Sequence, residues 1–186
     1  FRGKAKGPIY VSITDDGADF RSAKHLWGKN THETDKEIKE ELKDENASIA
    51  AIGQAGERLV RYANISVDLW RHPARGGTGM IMGSKNLKAV AVHGTMRTSI
   101  EDSASLNELA VELNEILKRQ INRWGMPHNI VREGTNEYLD VEIETGVTPW
   151  RNYQTITPTY MQDELKAHTI ANRSCPGCIQ TCWCVR

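Results

Sequence analysis

Two groups of residues in this chain carry chemistry by their type and spacing. The first is a glycine-rich run, Arg75, Gly76, Gly77, Thr78 and Gly79, followed by Gly83 and then by the apolar stretch Leu87 to Val92. Glycine has no Cβ, so it lets backbone N–H groups approach a ligand and adopts positive φ without strain. Successive amides at a turn or helix start hold an anion, and an arginine adds a charged, forked donor. On residue chemistry this is a phosphate-holding loop; a tight turn between two strands is the competing reading. The second group is Cys175, Cys178 and Cys182, spaced C-x2-C-x3-C. Thiolates at that spacing can wrap three corners of an iron–sulfur cube while a distant ligand closes the fourth.

Other assignments for both groups fail on spacing. A P-loop ends in Gly-Lys-Ser/Thr, whereas the order here is Gly83, Ser84, Lys85. Gly77, Gly79 and Gly83 read GxGxxxG instead of GxGxxG, and the stretch after them is too short for a crossover helix before a strand at Ala89–Val92. A structural zinc site wants two paired cysteine knuckles, and no second pair lies upstream. A radical S-adenosylmethionine site has the two spacings in reverse order. Cys184 lies two residues after Cys182 and can in principle ligate the same cluster; the competing reading is a spare thiol packed near it, because buried cysteine often behaves as a small apolar group. His128 and His168 are isolated, and an isolated histidine is usually a hydrogen-bonded or solvated side chain.

The elements that must position these groups follow from turn signals and periodicity. A Gly-Pro turn leads into a strand at Ile9–Ile13, closed by a turn at Asp15, Asp16 and Gly17. Thr34 and Glu37 form a capping box that opens a helix to about Asp44, with Ile38 and Leu42 on its apolar face. Ser48–Ile52 reads as a strand entering the turn Gly53 to Glu57, and the alternation over Leu59–Val67 predicts a strand that delivers the chain to Arg71 and the loop. Leu87–Val92 is a further strand. Beyond His93 and Gly94 the pattern changes to helical. Ser105 and Glu108 form a second capping box, and Leu106, Leu109, Leu113, Ile116 and Leu117 recur at helical spacing, with a break at Gly125, Met126 and Pro127.

Composition narrows the function classes. The 186 residues carry 24 Lys+Arg against 24 Asp+Glu, a net charge of zero with no long basic block, which argues against a phosphate-tracking nucleic-acid surface. No apolar run reaches the ~18 residues that read as a membrane span, and there is no signal-peptide pattern. All cysteines fall between 175 and 184, which is no disulfide framework for a secreted domain. The expected location is therefore cytoplasmic, with neither nucleic acid nor membrane as a partner.

Taken together, Ala74–Val92 closely resembles the signature of the tungsten/molybdenum aldehyde ferredoxin oxidoreductase family, a Gly-Arg-Gly-Gly-x-Gly loop running into Met-Gly-Ser-Lys-Asn-Leu-Lys-Ala. Leu26–Gly28, the turn Gly53–Glu57 and the segment Thr145–Asn152 also resemble the family, and the cysteines follow the loop as they do there. The departures are Gln54 at a common proline, Ala74 at a usual glycine and Thr78 at a usual leucine. The first leaves the turn less rigid; the other two remove no backbone donor. Relatives of nitrate reductase share the cysteine spacing but carry it near their N-terminus.

The resemblance implies an α+β fold for residues 1–96, the C-terminal part of a pterin-binding domain, and an all-α multihelical domain beginning in 97–186. It implies that the chain is an internal piece, starting at Phe1 in mid-strand and ending soon after its last cysteine. The implied cofactors are a tungsten (or molybdenum) bis-pyranopterin held by Arg75, Gly76, Gly77, Thr78 and Gly79, a magnesium ion bridging the pterin phosphates, and a [4Fe–4S] cluster on Cys175, Cys178 and Cys182. The implied reaction oxidises a small aldehyde to a carboxylic acid and passes electrons to ferredoxin or a similar carrier, in a homo- or hetero-oligomer. The catalytic acid or base and the fourth cluster ligand are expected beyond Arg186, so no catalytic residue is named. A dearomatising aromatic acyl-CoA reductase of the same superfamily and a non-catalytic iron–sulfur electron-transfer module are the alternatives.

Overall fold

The computed structural model describes residues 2–96, 98–123, 139–155, 158, 161–175 and 183–185. The chain divides into two compact units, Phe1–Thr98 and Ser99–Arg186.

The first unit is a five-stranded mixed sheet in the order β2-β1-β5-β3-β4. β1 (Ile9–Thr14) and β2 (Gly17–Ser22) form an antiparallel hairpin in which Thr14 pairs with Gly17. The Asp15–Gly17 turn signal thus marks a hairpin, and β2 was hidden because Gly-Ala-Asp-Phe-Arg-Ser has no apolar alternation; five of its six residues are exposed. β5 (Leu87–Val92) lies parallel to β1 and antiparallel to β3 (Ser48–Ala51). β4 is only Ser66–Val67.

Alternating side chains give the sheet two apolar faces. On one, Tyr10, Ile49, Ala51, Ala89 and Ala91 pack with Leu26 and with Ile38 of α1 (Thr31–Leu42). The alanines on the strands keep that face shallow, so the helix lies close. On the other, Val11, Ile52 and Leu87 pack with Met82 of a second helix, α3 (Thr78–Ser84).

Three expectations need correction here. α1 starts at Thr31, not at Thr34, because Asn30 is the cap. Its side chain accepts the Glu33 N–H at 2.9 Å and its own N–H donates to the Glu33 carboxylate at 2.9 Å. Thr34 is instead buried and donates its hydroxyl back to the Asn30 carbonyl. The helix stops at Leu42 because Lys43 turns left-handed at φ 53° and its N–H and that of Asp44 return to Glu40 and Lys39. Leu59–Val67 is a strand only at its last two residues, Ser66–Val67. After the single turn of α2 (Gln54–Glu57) the chain makes successive turns, Val60 N–H to Ala55 and Ala63 N–H to Val60, with Leu59 at φ 58°. The alternation there imitates a strand, but Tyr62 is 82 % exposed. Finally, a helix does precede β5, the seven residues of α3, but it incorporates Gly79 and Gly83 instead of following them. β4 and β5, each antiparallel to β3, run parallel with β3 between them, so α3 lies on a crossover between non-adjacent strands.

The second unit contains α4 (Ser103–Arg123), α5 (Leu139–Glu144) and α6 (Met161–Ala167). The cap of α4 is Asp102, whose carboxylate accepts the Ser105 N–H and hydroxyl at 2.9 and 2.6 Å, rather than Ser105 itself. This pair holds the Asp102 carboxyl below its usual range. The expected all-α character does not hold among the described residues, because β6 (Ala171–Arg173) and β7 (Trp183–Val185) pair antiparallel. Three-residue strands are too short for a period to register. The break expected at Gly125–Pro127 lies outside the described residues, as do Phe1 and His128.

Candidate functional site

The glycine-rich loop is presented by a framework that begins at β4. The chain reverses after Val67 through Asp68 and Leu69, both left-handed at φ 48° and 65°, and Val67 pairs with Arg71. The Asp68 carboxylate fixes this reversal to β3, accepting the Ser48 hydroxyl at 2.8 Å and the Ile49 N–H at 2.9 Å. Arg75 and Gly76 then stand in solvent, and Gly76 and Gly77 adopt φ of +90° and +70°. Gly77 is the N-cap of α3 and offers no side chain to the helix start. Among the described residues no hydrogen bond engages the amides of Gly76, Gly77 or Thr78, and no acceptor holds the Arg75 guanidinium. Unspent helix-start amides beside a guanidinium form a donor set suited to an anion such as a phosphate.

Thr78 closes the loop with its side chain. Its hydroxyl donates to the Pro73 carbonyl at 3.0 Å and ties the two ends of the loop together. Gly79 faces the other way: its N–H donates to the Ala63 carbonyl at 2.9 Å, so that amide is not turned to a ligand.

The back of the segment explains the remaining glycines. A Cβ on Gly77 would lie 2.3 Å from the Arg61 carbonyl oxygen, and one on Gly79 2.2 Å from that of Asn64. A Cβ on Gly83 would lie 2.0 Å from the Gly56 carbonyl oxygen. The turns over 58–64, misread as a strand, are therefore the wall against which the loop and α3 rest. At the far end of α3, Lys85 Nζ donates to the Gly3 carbonyl at 3.0 Å and Asn86 Nδ2 to the Ala5 carbonyl at 2.7 Å. A cleft of about 400 Å³ opens at that end, beside Ile9 and Phe20. It lies away from the loop.

The cysteines are placed only in part. Cys175 is exposed, two residues beyond β6, and Cys184 lies in β7 opposite Asn172. Cys178 and Cys182 lie outside the described residues. Among the described residues no group of three or more His, Cys, Asp or Glu could hold a metal. His168 Nδ1–H donates to the Glu164 carbonyl at 2.7 Å, at the end of its own helix, as a structural histidine does. Thr145–Asn152 ends α5 through Gly146 at φ +72°, and Arg151, Asn152 and Tyr153 follow in left-handed conformation.

Two titrating groups sit away from the loop. Burial, with the Glu41 carboxylate beside it, pushes the Tyr10 phenol up to about 12. The Thr95 hydroxyl and N–H hold the exposed Asp15 carboxyl below its usual range.

The fold and the loop define a class of domain: a mixed sheet with a helix on each face and an exposed glycine-rich loop leading into one of them. The family model described as "Aldehyde ferredoxin oxidoreductase, N-terminal domain" matches residues 1–94, and the chain belongs to this family. It is 37% identical over 182 residues to a tungsten-containing aldehyde ferredoxin oxidoreductase of Pyrococcus abyssi (strain GE5 / Orsay), covering 95% of this chain and 29% of that protein. It is 39% identical over 106 residues to an aliphatic sulfonate oxidoreductase, WOR-like subunit, of Pyrococcus furiosus, covering 50% of this chain and 17% of that protein. Among solved structures, the active site complex BamBC of benzoyl coenzyme A reductase in complex with 1,5 dienoyl-CoA superposes with a TM-score of 0.70 at 29% identity, over 98% of this chain and 30% of that one. The chain thus spans less than a third of the relatives it matches, and these relatives are oxidoreductases. No helix among the described residues is long and apolar enough to cross a membrane.

Proposed function

We propose that the chain is the cofactor-holding part of a tungsten-dependent oxidoreductase that converts an aldehyde to a carboxylic acid. The observation that carries this reading is the donor set at Arg75–Thr78, the unengaged amides of Gly76, Gly77 and Thr78 beside an exposed guanidinium, in a chain whose relatives are named as tungsten-containing. In this reading Arg75, Gly76, Gly77 and Thr78 hold a pterin and its phosphate, and Gly79 contributes by letting α3 rest against Ala63 and Asn64. A magnesium ion would accompany the cofactor phosphates and offset their charge. The bis-pyranopterin metal supplies the two-electron chemistry when bound. Cys175, Cys178 and Cys182 would hold a [4Fe–4S] cluster, which would supply an electron exit toward ferredoxin or a similar carrier, and the enzyme is cytoplasmic and oligomeric. The exposure of Cys175 suits a thiolate that must meet an inorganic cluster.

A second reading is favoured by the superposition on the benzoyl coenzyme A reductase complex: the same loop and cluster would then run electrons inward to an aromatic thioester. Purified full-length protein separates the readings. Tungsten near one per chain with about four iron, and turnover of an aldehyde with an artificial acceptor, is the expected result for the cluster and cofactor assigned. Reduction of an aromatic acyl-CoA without aldehyde turnover would support the second reading. Iron without tungsten or molybdenum would leave only an electron-transfer module.

A further inference from the structure

Lys88 and Glu57 form an ion pair inside the first unit that the anion site does not use directly. Lys88 is 0% exposed although it sits in the apolar strand β5. The β1–β5 register shifts at this point: Ile9 pairs with Leu87 and Tyr10 with Ala89, leaving Lys88 without a partner on β1. A bulge of this kind re-aims a side chain. Here it sends Nζ to the Glu57 carboxylate and to the Lys29 carbonyl at 2.8 Å. Glu57, whose side chain is 5% exposed, also accepts the Gly28 N–H on both oxygens at 2.9 and 3.0 Å. Gln54 Nε2 donates to the Gly28 carbonyl at 2.5 Å, so the departure from proline adds a tie instead of loosening the turn. The Lys88 backbone carbonyl takes the Ile52 N–H at 3.0 Å. The whole of α2 is thereby fixed to β5 and to residues 28 and 29.

Motion of α2 has a direct route to the loop. Gly56 and Gly83 bring α2 and α3 into backbone contact, and a Cβ on Gly56 would meet the Gly79 carbonyl oxygen at 2.9 Å. No side chain lies between them to absorb a shift. A hydrophobic pair would fill the same space without the desolvation cost of two buried charges. What it would lack is direction: a carboxylate held by two donors, one of them spanning both oxygens, and an ammonium with two acceptors admit one placement of α2. We propose that Lys88 and Glu57 are positioning residues for the glycine-rich loop, holding α2 so that α3 presents the Gly76–Thr78 amides in one fixed arrangement. This rests on the reading of that loop as the cofactor phosphate site.

The test uses full-length protein and reads hydrogen exchange at the Ile81 and Lys85 amides together with tungsten and pterin content. Lys88→Met and, as the milder change that keeps the Gly28 acceptor, Glu57→Gln are compared with Ile38→Val, which loosens the core on the opposite face of the sheet. Either pair variant is expected to speed exchange at those amides by about tenfold or more, a local opening rather than a global one. Cofactor content should fall by the order of ten- to a hundredfold in affinity that loss of a supporting partner costs. Ile38→Val should lower the melting temperature and do neither. Unchanged exchange in Glu57→Gln, or equal acceleration in Ile38→Val, overturns the proposal. Arg75→Ala distinguishes the two layers. If it strips the cofactor while both pair variants retain it with unchanged exchange, the positioning role fails and the phosphate site stands. If Arg75→Ala retains the cofactor, the phosphate site itself fails.

Discussion

The two ends of the glycine-rich segment use the same residue for opposite purposes. At the front, Gly76 has open space where a Cβ would lie and is needed for its backbone angle, φ +90°. At the back, Gly83 has an ordinary helical backbone and is needed because the Gly56 carbonyl would lie 2.0 Å from a Cβ. At the front Arg75 and Gly76 face solvent with the Gly76 amide unspent; from Gly77 onward the segment is backed by α2 and residues 61–64. The difference teaches that a glycine-rich signature mixes ligand-facing and framework-facing positions. Substitutions at the two ends should therefore fail in different ways.

The largest effect is expected at the back. Gly83→Ala forces backbone from backbone, with no flexible side chain to yield, and should cost about 3 kcal/mol or more in chemical denaturation, at the upper end of overpacking. An effect under about 1 kcal/mol there would break the comparison. Gly76→Ala meets no atom and costs only the left-handed backbone, about 1–2 kcal/mol, so the protein should fold and show its defect chiefly in cofactor content. Thr78→Val removes the hydroxyl bond to Pro73 and should cost about 0.5–1.5 kcal/mol by the same measurement.

The smallest effect is expected away from both ends, at Asp15. Its folded pKa is depressed by Thr95, so its contribution to stability is present above the unfolded value of 3.8 and is lost as pH falls through the lowered folded value. Thr95→Ala should return the Asp15 titration, followed by NMR, toward the ordinary carboxylate range. It should leave the loop unaffected.

Much of this arrangement was legible from residues. Strands at 9–13, 48–52 and 87–92 were marked by β-branched runs bounded by turns, and the loop by its glycines and arginine. β2 and the wall at 58–64 were not legible for opposite reasons. β2 is an exposed edge without a pattern, while Leu59–Ile65 has a strand pattern spent on turns whose Arg61 and Asn64 carbonyls back Gly77 and Gly79. Lys88 carried a signal that went unused: a lysine in the middle of an apolar strand run, which is costly to bury unless paired. Its partner Glu57 lies 31 positions away, beyond the reach of any local spacing rule. The helix caps were misplaced by a few residues because Asn30 and Asp102 cap as well as the nearby threonine and serine.

Arg75→Ala in the full-length protein tests the central claim most directly. The guanidinium is exposed at the loop and supports no internal contact among the described residues, so the variant should fold with an unchanged melting temperature when cofactor-free. Loss of a charge-assisted bond of roughly 1.5–3 kcal/mol should leave it depleted in tungsten and pterin, about ten- to a hundredfold weaker in binding. Full tungsten and pterin content in a folded Arg75→Ala protein would contradict the assignment of the loop.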